Sequence, residues 1–187
     1  MKNAGLIKGY LELLDYKEEY VQIYEEEKNN LLRIYNGRIS SIEHVGSTSI
    51  KGIKSKPIID ILIQTDDLDN FKKYTEECVE SDTYTVKKEP TMGGEYLMRK
   101  EEDGKVKALI HVYKTGDMNG ITSIMFRDYM NSHEDERKRY EKLKLELFEK
   151  YKNERRKYTF GKDEYIKGVI KKAIEEANKE ADIKKNW

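Results

Sequence analysis

Glu43-His44-Val45-Gly46-Ser47-Thr48-Ser49-Ile50, and shortly after it Lys56-Pro57-Ile58-Ile59-Asp60-Ile61-Leu62-Ile63-Gln64, are the stretches on which the fold turns. The second is rich in β-branched residues, and its composition predicts a strand over 57–64. The first ends a strand predicted over 38–45 and leaves it through Gly46-Ser47. A glycine here has no Cβ to hold an anion away from the backbone N–H groups, and Ser47, Thr48 and Ser49 add hydroxyl donors. Lys51, Lys54 and Lys56 bring positive charge alongside. If a helix follows the turn, its dipole reinforces the same site. This chemistry suits a phosphate. The plainer reading has Ser47 and Thr48 capping a turn, with the lysines solvated.

Asp60 is the second signal. A carboxylate inside an otherwise apolar strand is costly to bury unpaired, so it belongs at an exposed strand end or beside a cation. Ionisable groups in such surroundings cluster at functional sites.

Working outward, Tyr20, Tyr24, Leu31, Ile34 and Tyr35 recur at helical spacing and predict a helix over 17–35, ended by Asn36-Gly37. Asp66 is the expected cap of a helix through Leu68, Phe71, Thr75 and Val79. Strands are predicted over 95–100 and 107–113, joined by a turn at Asp103-Gly104. The remainder reads as helical. One helix runs over 121–130, and the next is capped by Ser132 with Asp135 three positions on. Tyr140, Leu143, Leu147 and Tyr151 form its stripe. A last helix carries Ile166 to Ala177, and residues 182–187 are expected to be a frayed tail. Strands followed by a helical block predict an α/β (α+β) fold, a mixed sheet flanked by helices.

The chain has 187 residues, and only two prolines punctuate it, which fits one domain over 1–187. Lys plus Arg number 36, as do Asp plus Glu. No global field therefore attracts nucleic acid, and there is no strong nucleic-acid signal. Cys78 is the single cysteine. It falls in a helical pattern, where packing is its expected role, and one cysteine fits a reducing, cytoplasmic setting. No apolar run has the length of a membrane span, and residues 1–10 lack a signal-peptide core.

The string from Ile42 to Ser49, with Lys56 to Leu62, resembles the GrpB family, a branch of the nucleotidyltransferase superfamily. His111-Val112, Phe126-Arg127-Asp128-Tyr129, Tyr158 and Lys162 also match, so the resemblance runs from about Leu14 to Ala177. It implies a pocket for a nucleotide or another phosphate-containing small molecule and transfer of a nucleotidyl group to an acceptor. Gly46, Ser47, Thr48, Lys56, Arg127 and Lys162 would bind phosphate, with Asp60 and His111 as the catalytic pair. Mg²⁺ or Mn²⁺ would enter together with the nucleotide, at Asp60 with Glu43. Family members also occur fused behind dephospho-CoA kinase, but this chain has no phosphate loop of that enzyme's kind.

The sequence departs from the superfamily's metal pattern. Residues two apart on a strand share a face, so a second carboxylate is expected at position 62, where Leu62 stands. His111 occupies a late-strand position expected to be acidic, and imidazole suits Mg²⁺ poorly. Three readings remain open: an enzyme, a binding module that has lost its metal site, and an interaction protein that keeps the constellation without using it. His111 reads equally as a packed strand residue, and Arg127-Asp128 as a surface pair.

Overall fold

A computed structural model describes residues 4–79, 84–87, 96–152 and 154–185. The described elements are β1 (Leu6–Ile7), α1 (Glu19–Ile34), β2 (Ser41–Val45), a 3₁₀ turn (Ser47–Ser49), β3 (Ile59–Thr65), α2 (Leu68–Cys78), β4 (Tyr84–Val86), β5 (Tyr96–Glu102), β6 (Lys105–Lys114), α3 (Met118–Ser132), α4 (Glu134–Lys150), α5 (Arg155–Phe160) and α6 (Asp163–Lys185). The sheet runs β2-β3-β6-β5-β4, with β1 pairing separately against the start of β6. β3 and β6 are parallel, and the other pairs are antiparallel, which makes the sheet mixed. β2 and β3 are neighbours, as expected.

Alternation along β3 divides the molecule into layers. Ile59, Ile61 and Ile63 are fully buried in a core with Ala108, Ile110 and Val112 of β6. That face is covered by α1, through Tyr20, Ile23, Tyr24 and Leu31, and by Phe71 of α2. Asp60 and Leu62 point to the opposite face, which the helices from α3 onward cover. A second core there joins Ile50 and Ile53 to Phe126, Met130, Tyr140 and Val169.

The β5–β6 turn is the expected Asp103-Gly104, with φ of 52° and 70°. Two successive positive φ angles give the primed turn whose twist matches a hairpin. Several local expectations are corrected. Asp67 rather than Asp66 caps α2, accepting from the Asn70 N–H. Ser132 is not the cap of α4. It ends α3, and its hydroxyl donates back to the carbonyls of that helix. Such back-bonding satisfies a short polar side chain without starting a new helix. Cys78 is exposed, because it lies at the end of α2 beyond the buried face. α6 continues past Ala181 to Lys185, while residues 186–187 lie outside those described. The strand expected over 38–45 begins only at Ser41. β1, β4 and α5 were not anticipated as separate elements.

Candidate functional site

β2 and β3 meet in register with Val45 opposite Asp60, and β3 meets β6 with Asp60 opposite Leu109 and Leu62 opposite His111. These pairings gather Asp60, Leu62, Leu109 and His111 onto the face turned toward the C-terminal helices. Between that face and the helices lies a cavity of about 330 Å³, a size suited to a small ligand. Gly46, Ser47, Thr48, Lys56, Asp60, His111 and Lys162 line it. Seven of the expected site residues are therefore in one place. The chain leaves β2 at Gly46 with φ 71° and ψ −170°, a conformation that glycine alone adopts readily. No α-helix follows the turn, only the 3₁₀ turn, so helix-dipole support for an anion is not part of this site.

Arg127 and Glu43 are not among the lining residues. Arg127 Nη1 donates to Glu43 Oε2 at 2.7 Å and to the His44 carbonyl at 2.9 Å, while its Nε donates to Asp128 at 2.7 Å. The guanidinium pins α3 to β2 and lies outside the cavity lining. Glu43 is likewise committed to Arg127 rather than shared with Asp60. Thr48 reaches the cavity wall, but its hydroxyl donates to the Ile58 carbonyl at 3.3 Å and meets His44 Nε2 at 3.0 Å. With its proton given to Ile58, Thr48 accepts from His44, and these bonds hold the turn.

The electrostatics centre on lysines. Neither Lys56 nor Lys162 forms a side-chain hydrogen bond or ion pair with another described residue; the Lys162 ammonium lies 5.0 Å from the Tyr158 ring centroid. Burial, then repulsion from Lys162, pulls Lys56 down to about 8, with Asp60 opposing. Burial also lowers Lys162, again against the pull of Asp60. Behind them, the buried Lys144 of α4 donates to the Lys54 carbonyl. Burial and the Lys162 charge bring it down to about 7. Two confined ammonium groups, Lys56 and Lys162, thus share one cavity carboxylate, while Glu141 opposes the lowering of Lys144 behind them. Asp60 Oδ1 sits 3.6 Å from His111 Nε2, an approach that tightens readily into a hydrogen bond.

Aromatic residues complete the wall. Tyr140, 2% exposed, is pushed up to about 12 by burial, with the Ser47 hydroxyl opposing. Tyr158 is also raised by burial. In sequence Tyr140 reads only as a core position of a helical stripe, and Tyr158 only as one of the residues that carry the resemblance. Nothing there signals a cavity, because which helix face meets the sheet is set by tertiary packing.

A protein-held divalent metal does not fit these residues. Leu62 supplies no ligand, Glu43 is bound to Arg127, and no group of three or more His, Cys, Asp or Glu residues is placed to hold an ion among the described residues.

The family model described as GrpB protein matches residues 10–172. The chain is 31% identical over 169 residues to the glutamate-rich protein GrpB of Alkalihalophilus pseudofirmus, covering 89% of this chain and 97% of that one. It is also 31% identical over 160 residues to UPF0157 protein YqkA of Bacillus subtilis, covering 86% of this chain but 46% of YqkA. The crystal structure of the conserved protein GrpB from Enterococcus faecalis superposes with a TM-score of 0.80 at 26% identity, covering 89% of this chain and 99% of that chain. No helix among the described residues is long and apolar enough to cross a membrane.

Proposed function

The chain belongs to the GrpB family, and from that premise we propose that its cavity binds a phosphate-bearing small molecule of the nucleotide class on a nucleotidyltransferase-like scaffold. The observation that carries this reading is the pair Lys56 and Lys162, two desolvated ammonium groups facing one cavity carboxylate. Confining unpaired like charges costs free energy that a bound anion recovers. Gly46 and Ser47 line the same cavity and offer the small, hydrogen-bonding surface that a phosphate needs.

A second reading adds transfer of the nucleotidyl group, and the Asp60–His111 approach favours it. His111 would take the proton of an acceptor hydroxyl as that oxygen bonds to the α-phosphorus of a nucleoside triphosphate and pyrophosphate leaves, while Asp60 orients the ring and stabilises its charge. The lysines would neutralise the charge that develops on the phosphate oxygens.

A thermal-shift screen of nucleotides, CoA fragments and sugar phosphates, run without divalent metal and repeated with Mg²⁺ or Mn²⁺, tests the binding reading. A ligand at a hundred times its Kd adds about 2.7 kcal/mol of stability. The expected hit is lost in both Ser47→Ala and Lys56→Ala. Stabilisation that survives both substitutions would place the ligand elsewhere and overturn the reading.

A further inference from the structure

Beside the cavity, and sharing Leu109 with it, lies an open groove of about 640 Å³. Five cations line it: Lys8 after β1, Lys87 after β4, Arg99 on β5, and Arg155 and Arg156 on α5. Among its described lining residues there is no carboxylate, though Arg99 Nη1 donates to Glu101 Oε1 at 3.2 Å just outside the lining. In a chain whose positive and negative side chains number 36 each, this is a local excess built from four separate parts of the fold.

The sheet register connects groove and cavity. Asp60 lies opposite Leu109, and Leu109 opposite Arg99, so the three form one row across β3, β6 and β5. Two interstrand spacings put the Arg99 and Asp60 backbones roughly 10 Å apart. Arg155 stands at the junction. Burial lowers it first and the Arg99 charge next, with Asp60 opposing both. Its guanidinium therefore belongs electrostatically to the cavity and the groove together.

We infer that the groove is the oligophosphate subsite of the cavity's ligand, so that cavity and groove together take a molecule with two or more linked phosphates. The inference rests on the reading of the cavity as a phosphate site. A single phosphate held at Gly46-Ser47 and Lys56 leaves the groove cations unused, whereas linked phosphates extend along the Asp60–Leu109–Arg99 row toward them. A polynucleotide is the weaker occupant, because the balanced net charge provides no long-range field to draw one in.

The test uses probes with no base, so that the nucleoside need not be known. Inorganic phosphate, pyrophosphate and tripolyphosphate are titrated calorimetrically at constant ionic strength without divalent metal. The proteins are the wild-type chain, Ser47→Ala and the double variant Lys87→Ala/Arg156→Ala. Wild-type affinity should rise with each added phosphate. The groove variant should lose roughly ten- to a hundredfold for tripolyphosphate, the loss expected for charge-assisted hydrogen bonds, and stay within about twofold for phosphate. Ser47→Ala should weaken all three probes alike.

Tripolyphosphate binding no tighter than phosphate, with Ser47 still required, would overturn the groove and leave the cavity reading standing. No binding of any probe would overturn both. Two single-stranded oligonucleotides, one DNA and one RNA, form the last arm. If either requires Lys87 and Arg156 while tripolyphosphate does not, the groove is a polynucleotide track and the inference is wrong.

Discussion

The Asp60 side chain lies directly on the Gly46 backbone: a Cβ added at Gly46 would overlap the carboxylate oxygen Oδ2 and come within 2.8 Å of Asp60 Cβ and Cγ. The turn and the carboxylate, thirteen and more positions apart in sequence, form one packed unit. Gly46→Ala is therefore expected to lower stability by about 1–3 kcal/mol, from positive φ and collision together. For a chain of this length that is several degrees in Tm. Adding Asp60→Gly, which removes every side-chain atom the new Cβ meets, should recover only part of the loss, since the φ strain remains. Full recovery in a thermal melt would show that collision alone forbids a side chain.

His44 sets an acid limit on stability. It is buried, stacked on Tyr24 at 4.8 Å, and pulled down to about 4, chiefly by burial. The unfolded chain binds its proton near pH 6.5 and the folded chain only near pH 4. Between those values the unfolded state holds more protons, so stability falls as pH drops from 6.5 toward 4 and levels off below. The full span is about 3 kcal/mol. His44→Gln should flatten the slope of Tm between pH 7 and 5, and an unchanged slope would assign it to other groups.

Lys56 should make anion binding pH-dependent. Its value near 8 in the ligand-free protein means that it loses its charge as pH rises through that point. An anion binds the protonated form better, so affinity for pyrophosphate should fall between pH 7.5 and 9.5. Lys56→Arg, which keeps its charge throughout, should abolish this fall. The readout is the calorimetric Kd across the pH series.

Asp60→Asn removes the one negative charge among the cavity's lining residues. Metal-free binding of pyrophosphate should hold or strengthen, while any nucleotidyl transfer should be lost with the partner of His111. Arg127→Ala should act oppositely, leaving the Kd for pyrophosphate within about twofold and costing about 1–2 kcal/mol in stability through the lost β2–α3 hydrogen bonds. A large rise in Kd for Arg127→Ala would put its guanidinium back in the site.

Away from the cavity, Glu27 is 1% exposed and accepts from Tyr84 Oη at 2.5 Å and Lys100 Nζ at 2.6 Å. These bonds tie α1 to β4 and β5. Glu27→Ala should cost about 2–3 kcal/mol by stranding the buried Tyr84 hydroxyl and leaving the half-buried Lys100 ammonium with Glu102 alone. Glu27→Gln should cost less, and the two are separated by denaturant titration.

Much of this was legible because it is local. The β-branched run at Ile58–Ile63, the Asp103-Gly104 turn and the tyrosine spacing of α1 each carry their conformation in a few residues. Gly46, Ser47, Lys56 and Asp60 were legible as a group because their spacing straddles a single turn. Sequence shows Arg127 beside Asp128 but not its second partner Glu43, which only sheet and helix packing bring to it. Tyr140, Tyr158 and the Arg155–Arg99 pair were illegible for the same reason. Their partners are dozens of residues away, and no periodicity encodes which faces meet.

The cavity's lower wall comes from residues between Val45 and Tyr113, and its upper wall from residues between Thr122 and Ile170. A ribosome delivers these walls in order, so the sheet face with Asp60 and His111 is complete before Lys162 has been added to the chain. The earlier part can assume its strands while its lysine-bearing counterpart does not yet exist. Competence to bind is thus a late event in the life of each molecule, settled when α6 docks. A ligand touching both walls would in turn slow the departure of the C-terminal helices, and amide exchange in α6 would report its arrival.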